Sequence, residues 1–231
     1  MSDYKPINIF LASDSTVQAY GPEHAPQAGW GMFIGNYFTD DVQILNHAIG
    51  GRSSRTFVEE GRLDAILNEI QANDYLLIQM GHNDSTKSKP ERYTEPYTTY
   101  KQYLKKYVED ARQHDAVPIL ITPVARLHYE DGDFLNDFPD YCKAMKQVAE
   151  KEKVLLIDLM AASLDYFTSV GYDEVFTYFM VSSNDTDHTH FTEKGSDAMA
   201  KVLASEVKKL DLDISKFVCR NDCGQVEERG V

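Results

Sequence analysis

Five short apolar runs recur along the chain, at residues 7–12, 42–45, 75–79, 117–122 and 154–158. Each is nearly continuous in Val, Ile and Leu rather than alternating with polar residues, as in strands buried on both faces of a parallel sheet. The segments between them carry apolar residues at helical spacing. Trp30, Phe33, Ile34, Tyr37 and Phe38 form one stripe, and Val58, Leu63, Ile66, Leu67 and Ile70 a second. Tyr97, Tyr100, Leu104, Tyr107, Val108 and Ala111 form a third; Phe138, Tyr141, Cys142, Met145, Val148 and Ala149 form a fourth. The fifth, Ala198, Met199, Val202, Leu203, Val207 and Leu210, follows Thr192, an N-cap residue with Glu193 in the first turn. These aromatic and methionine side chains read as core-facing rather than as a cofactor box.

Strand alternating with helix five times predicts a three-layer α/β/α sandwich around a five-stranded parallel sheet with right-handed crossovers. Residues 1–231 read as one domain, with its core at about 7–210 and a polar, peripheral tail at 211–231. Three loops are long, at 13–28, 80–96 and 122–136, and the stretch 166–191 is weakly patterned. Long loops in a compact domain are usually functional.

Composition narrows the function classes. With 42% hydrophobic and 26% charged residues, the chain reads as an ordinary globular protein rather than a disordered or collagen-like one. Twenty-three basic against 37 acidic residues give a net charge of −14, which removes any general attraction for nucleic acid or an anionic membrane. No run approaches the ~20 apolar residues of a membrane span, and the N-terminus shows no secretory leader. The three cysteines, Cys142, Cys219 and Cys223, form an odd, sparse set. They read as free thiols in a reducing, cytoplasmic setting, with a Cys219–Cys223 bridge as the alternative.

Candidate chemistry gathers where strands end, since ligands of open parallel sheets bind beyond the carboxyl ends of the strands. Ser13-Asp14-Ser15-Thr16 follows the first run, Asn46 to Ser53 the second, Gly81-His82-Asn83-Asp84 the third, and Asp187-His188-Thr189-His190 precedes the last helix. Singly, each cluster also reads as an ordinary cap or turn. Together they describe nucleophilic catalysis. A serine hydroxyl needs a base to take its proton, and the His190 imidazole is suited to that role. Asp187, three residues earlier, can reach Nδ1 and fix the tautomer. The Ser15 N–H, the Gly51 N–H and the Asn83 amide can bind a developing oxyanion. Asp187, His188 and His190 as metal ligands are the alternative, but zinc normally takes three or four ligands and no further pair is evident. No metal and no cofactor are expected.

The four clusters resemble the conserved blocks of the SGNH, or GDSL, hydrolases, with Ser15, Gly51, Asn83 and Asp187/His190 in the family's order. The wording Leu11-Ala12-Ser13-Asp14-Ser15-Thr16-Val17, Gly50-Gly51-Arg52-Ser53-Ser54-Arg55 and Gly81-His82-Asn83-Asp84 is similar to the rhamnogalacturonan acetylesterase branch. Ser13 stands where the family name motif has Gly. The resemblance implies a serine esterase that removes O-acetyl groups from a small pectic saccharide through an acyl-enzyme. The alternatives are a lipid esterase or thioesterase, with Phe176, Tyr178, Phe179 and Met180 as its acyl groove, and a non-catalytic carbohydrate-binding module. Arg52, Arg55 and Arg62 follow Gly51 closely. Arg52, Arg55 and His82 are the candidate substrate-binding residues, with an Arg on a uronate carboxylate; pairing of the arginines with Glu59, Glu60 and Asp64 is the competing reading.

Overall fold

All five apolar runs become strands: β1 Ile7–Ala12, β2 Val42–Asn46, β3 Tyr75–Gln79, β4 Val117–Ile121 and β5 Leu155–Ile157. The structure is a computed structural model and describes residues 6–219. Every pairing is parallel and the order is β2-β1-β3-β4-β5. Leu11 lies beside Leu77, Leu77 beside Ile119, and Ile119 beside Leu155. β3 is buried along its whole length, whereas the edge strands β2 and β5 are partly exposed. The direction of winding reverses between β1 and β3, which opens a crevice at their carboxyl ends.

Eight α-helices follow: α1 Ser54–Glu59, α2 Arg62–Leu67, α3 Lys101–Gln113, α4 Pro139–Glu152, α5 Leu159–Val170, α6 Tyr172–Phe176, α7 Val181–Asn184 and α8 Glu193–Val207. Helices α1 to α4 pack together as one group, and α5 packs on α8 as another, giving two helical layers about the sheet. The buried hydrophobic side chains form one contiguous cluster. Among the described residues, no helix is long and apolar enough to cross a membrane.

Several expected elements take a different form. The first stripe is not an α-helix but two 3-10 turns, Trp30–Met32 and Ile34–Tyr37. Gly29 and Gly31 explain it: a Cβ at Gly29 would lie 2.5 Å from the Gln18 oxygen, and one at Gly31 2.4 Å from the Val17 oxygen. The segment lies directly on the backbone of the turn after β1, and Trp30 N donates to Thr16 O at 3.0 Å. The second stripe breaks at Gly61, whose φ of +74° separates α1 from α2. Tyr97, expected in the core, is 40% exposed, and its hydroxyl donates to Asp140. Helix α5 was not anticipated, because its buried face, Leu159, Met160, Ser163 and Phe167, contains a serine. That hydroxyl accepts from Ala125 N and donates to Met160 O, so it serves the backbone.

The expected peripheral tail also differs in its first part. Ile214 is fully buried, Phe217 O accepts from Thr39 N, and Val218 bridges to Phe38. Cys142 is a free, buried thiol, as expected, but Cys219 is disulfide-bonded rather than free. Cys223 lies outside the described residues.

The buried tyrosines do more than fill volume. Tyr100 donates to Met80 O at 2.8 Å, Tyr107 to Ser54 O at 3.1 Å, and Tyr141 to Asp84 O at 2.9 Å and Thr94 O at 2.6 Å. Tyr100, which caps α3, together with helices α3 and α4 thereby holds the segments that follow β2 and β3. Asp84 joins those loops: its carboxylate accepts from Ser54 N, the Ser54 hydroxyl and the Thr94 hydroxyl. Burial outweighs these bonds and pushes its pKa from 3.8 up to about 6.

Tyr141→Phe removes a single hydroxyl hydrogen shared by Asp84 O and Thr94 O, the former still accepting from Thr94 N, and should lower unfolding stability by roughly 1–2 kcal/mol, read from the urea midpoint. Asp84 has a folded pKa above its unfolded value, so its contribution is fully present below about pH 3.8 and falls as pH rises through about 6. The stability difference between wild type and Asp84→Asn should therefore shift against wild type between pH 4 and pH 6.5. A difference that stays constant over that range would mean the carboxyl is not perturbed.

Candidate active site

Ser15 sits three residues beyond β1, in a turn closed by Val17 N and Gln18 N donating to Asp14 O. The turn is fixed from beneath. Ser13 Oγ donates to Gln79 O at 2.6 Å, Gln79 Nε2 to Thr16 Oγ1 at 2.8 Å, and Trp30 Nε1 to Gln79 Oε1 at 3.0 Å. Thr16 also gives its N–H and hydroxyl to Asp14 Oδ1. Ser13 therefore has a hydrogen-bonding task of its own where the family name motif has glycine.

His190 reaches this turn from the segment before α8. His190 Nε2 lies 2.9 Å from Ser15 Oγ, and His190 Nδ1 lies 2.7 Å from Asp187 Oδ2. An ionised carboxylate only accepts, so Nδ1 carries the proton and Nε2 presents its lone pair to the serine. Asp187 Oδ1 accepts from Thr189 N at 2.9 Å and His190 N at 3.0 Å. Partial burial works against ionisation of Asp187, but these two N–H groups and the imidazole outweigh it and hold its pKa below 3.8. The segment is braced from behind: Met180 N donates to His190 O, Val181 N to Asp187 O, and Thr192 N to Tyr178 O, each at 2.8 Å. Thr192 caps α8 through Gly195 N, as expected.

Gly51 and Asn83 complete the wall. No acceptor among the described residues pairs with the N–H of Ser15 or of Gly51. Asn83 Nδ2 donates one hydrogen to Arg52 O at 2.9 Å, which fixes the amide and leaves its second hydrogen available. Gly51 has φ +80°, and a Cβ there would stand 3.7 Å from Arg92, so conformation rather than close approach calls for glycine. These groups line an open cavity of about 430 Å³ with Gln18, Tyr20, Gly50, Thr86, Arg92, Arg126 and Thr189 among its other walls.

The remaining sequence candidates are placed differently. Arg52 Nε binds Glu60 at 2.9 Å and its Nη1 the Gly50 oxygen; Arg55 binds Glu59; Arg62 binds Glu60. None of the three lines the cavity; each is held by a glutamate no more than eight residues away in the chain. His82 does border the cavity but is only 4% exposed. Its Nε2 is 3.1 Å from Val124 O, its ring packs edge-on against Phe138, and Nδ1 faces Asp14 Oδ2 at 3.4 Å. Asp14 is fully buried, which raises its pKa, but the His82 charge and the Thr16 bonds outweigh this and hold it below 3.8. His82 is thus a buried partner of Asp14 rather than an open substrate contact. His188 is exposed and borders a separate hollow with His128 and Tyr172. Among the described residues, no group of three or more His, Cys, Asp or Glu side chains is arranged to hold a metal ion.

The candidate acyl groove does not form: Tyr178, Phe179 and Met180 are buried, Phe176 packs against the core, and none borders the cavity. Sequence reasoning missed Tyr20, Arg92 and Arg126. Tyr20 donates to Ser15 O at 3.0 Å, and burial pushes its pKa up to about 12. All three sit in long loops, whose length was the only signal.

The sequence profile described as GDSL-like Lipase/Acylhydrolase matches residues 9–203. The chain is 59% identical over 213 residues to the probable rhamnogalacturonan acetylesterase YesY of Bacillus subtilis, covering 92% of this chain and 98% of that one. It is 41% identical to the rhamnogalacturonan acetylesterase RhgT of the same organism, over 91% of this chain and 93% of that one. The crystal structure of Bacillus subtilis YxiM superposes with a TM-score of 0.81 at 30% identity, over 90% of this chain and 58% of that chain. A β2-β1-β3-β4-β5 sheet, a serine past β1 that meets a histidine before the last helix, and relatives of this similarity together mean that the chain belongs to the GDSL-like lipase/acylhydrolase family, on the branch that holds these rhamnogalacturonan acetylesterases.

Proposed function

We propose that the protein is a serine esterase that removes O-acetyl groups from a pectic, rhamnogalacturonan-type saccharide. The observation that carries this reading is the unbroken chain Ser15 Oγ, His190, Asp187, facing a cavity whose wall also presents unpaired N–H donors. Ser15 Oγ attacks the acetyl carbonyl while His190 Nε2 takes the hydroxyl proton, and Asp187 stabilises the imidazolium. The tetrahedral oxyanion is held by Ser15 N–H, Gly51 N–H and Asn83 Nδ2–H. His190 returns the proton to the departing sugar oxygen, leaving an acetyl-serine. Water, deprotonated by His190, attacks that ester and releases acetate and free Ser15. An open, partly polar cavity without an apolar groove suits a small acyl group on a sugar better than a long acyl chain. The names of the two similar Bacillus subtilis proteins point to the same substrate class.

Acetate should be released from acetylated rhamnogalacturonan in preference to acetylated xylan, with long-chain esters turned over at least a hundredfold more slowly. Efficient release of long fatty acids would overturn the reading. Ser15→Ala should lower kcat by roughly 10³-fold or more while the protein stays folded, and a serine-directed phosphonate should add its mass to the Ser15 peptide. Labelling at another serine would displace the assignment. His190→Ala should be as inactive as Ser15→Ala, whereas His188→Ala should retain activity to within about tenfold, because its side chain faces a different hollow. Asn83→Ala should cost about 10²–10³ in kcat with little change in KM; a loss confined to KM would make Asn83 a binding residue instead.

A further inference from the structure

Six arginines lie among the described residues, and four are fully engaged. Arg52, Arg55 and Arg62 bind glutamates, and Arg112 donates to the carbonyls of Glu152 and Lys153. Arg92 and Arg126 are different. Both border the cavity that contains Ser15 and His190. Neither forms an ion pair with a carboxylate among the described residues, and the Nε of each is buried without a hydrogen-bond partner. Among the described residues, the one hydrogen bond of the Arg92 side chain is a long one, Nη2 to Thr86 Oγ1 at 3.5 Å. Arg126 stacks its guanidinium 4.7 Å from the centre of the Phe138 ring, which orients it without satisfying its donors.

The carboxylates that favour the Arg126 charge from a distance each bond another group: Asp137 to His128, Asp187 to His190, and Asp14 to Thr16. The position a Cβ would take at Gly51 is 3.7 Å from Arg92 Nη1, so one guanidinium stands beside the proposed oxyanion glycine. Burial lowers the pKa of Arg126, with Arg92 opposing its charge as well. A guanidinium nevertheless stays protonated near neutral pH, so its donors remain. Two unpaired cations facing one cavity, in a chain of net charge −14, call for an anion in that cavity.

We propose that Arg92 and Arg126 form a subsite for the carboxylate of a uronic acid residue in the saccharide, and that this pair sets the preference for acidic over neutral acetylated sugars. The proposal rests on the function given above, and it moves the uronate contact from Arg52 and Arg55 to two residues from different loops. The forked N–H donors of arginine match a carboxylate, and the rigid placement over Phe138 limits the ordering that binding requires.

The test measures inhibition of aryl acetate hydrolysis by two unacetylated oligosaccharides of equal length, one of galacturonate and one of galactose. Wild type should be inhibited at least tenfold more strongly by the galacturonate oligomer, and added salt should narrow the gap. Arg92→Gln and Arg126→Gln should each raise the inhibition constant for the galacturonate oligomer about 10–100-fold, and that for galactose much less. Arg55→Gln removes the same charge outside the cavity and should change neither constant. Arg126→Lys, which keeps the charge and loses the fork, should fall between wild type and Arg126→Gln. If Arg126→Gln does not fold, Arg92→Gln carries the test alone. Equal inhibition by both oligomers, equal weakening of both in the variants, or inhibition by free acetate or sulfate as strong as by the oligomer would overturn the subsite. Absence of acetate release from any acetylated saccharide, with the inhibition pattern intact, would instead remove the proposed function and leave the subsite standing.

Discussion

Every buried polar group in the turns above the sheet must find a partner without water, and the site follows from how that is met. A parallel sheet brings the carboxyl ends of β1, β2 and β3 to one rim, where the chain leaves the ladder and its main-chain groups lose their strand partners. Gln79, the last residue of β3, meets this by bonding Ser13, Thr16 and Trp30 at once. Asp84 does the same for Ser54 and Thr94. Tyr100 at the start of α3, Tyr107 and Tyr141 donate to carbonyls of the same segments. Three donors left unpaired at this rim face the cavity: the N–H of Ser15, the N–H of Gly51 and one hydrogen of Asn83. These three donors are held in place by the hydrogen bonds around them, so a group placed in the cavity meets them without rearrangement.

Charge follows the same local logic. The net charge of −14 describes the surface, yet the cavity is bordered by two unpaired arginines and by carboxylates already held in hydrogen bonds. Asp14 and Asp187 are both kept ionised, by different means. Asp14 is deep and depends on His82 and Thr16; Asp187 is half-open and relies mainly on two backbone N–H groups. Asp84 lies deep as well, and burial wins there because its donors are neutral hydroxyls and an amide with no cation beside it. Three carboxylates within one small region thus have different titration behaviour, set by the partner each loop supplies.

Much of this was legible in the sequence. Continuous Val, Ile and Leu runs mark strands buried on both faces, so the sheet could be read from residues 7–12 and 75–79 alone. The residues after those runs had to share a rim, so Ser15, Asn83 and the Asp187–His190 segment could be brought together before any coordinates. Where the reading failed, long-range contact outweighed local pattern. The Trp30 stripe has helical spacing, but its glycines let it lie against residues 17 and 18, which no window of sequence reveals. Helix α5 hides behind Ser163, whose partner is 38 residues away in the chain.

The arginines mark the division most clearly. The sequence by itself determined the strands, the order of the chemical blocks and the meeting of Ser15 with the Asp187–His190 segment at one rim, because these depend on spacing along one chain and on the parallel direction of the sheet. It also placed Arg52, Arg55 and Arg62 shortly after Gly51, where proximity in sequence suggested proximity to substrate. Only the tertiary structure decided which cations face the cavity. Glutamates two to eight residues away engage the first three, while Arg92 and Arg126 come from two separate long loops and find no carboxylate among the described residues. Pairing between near neighbours can be read from a sequence; the failure of a distant residue to find a partner is a property of the folded surface as a whole.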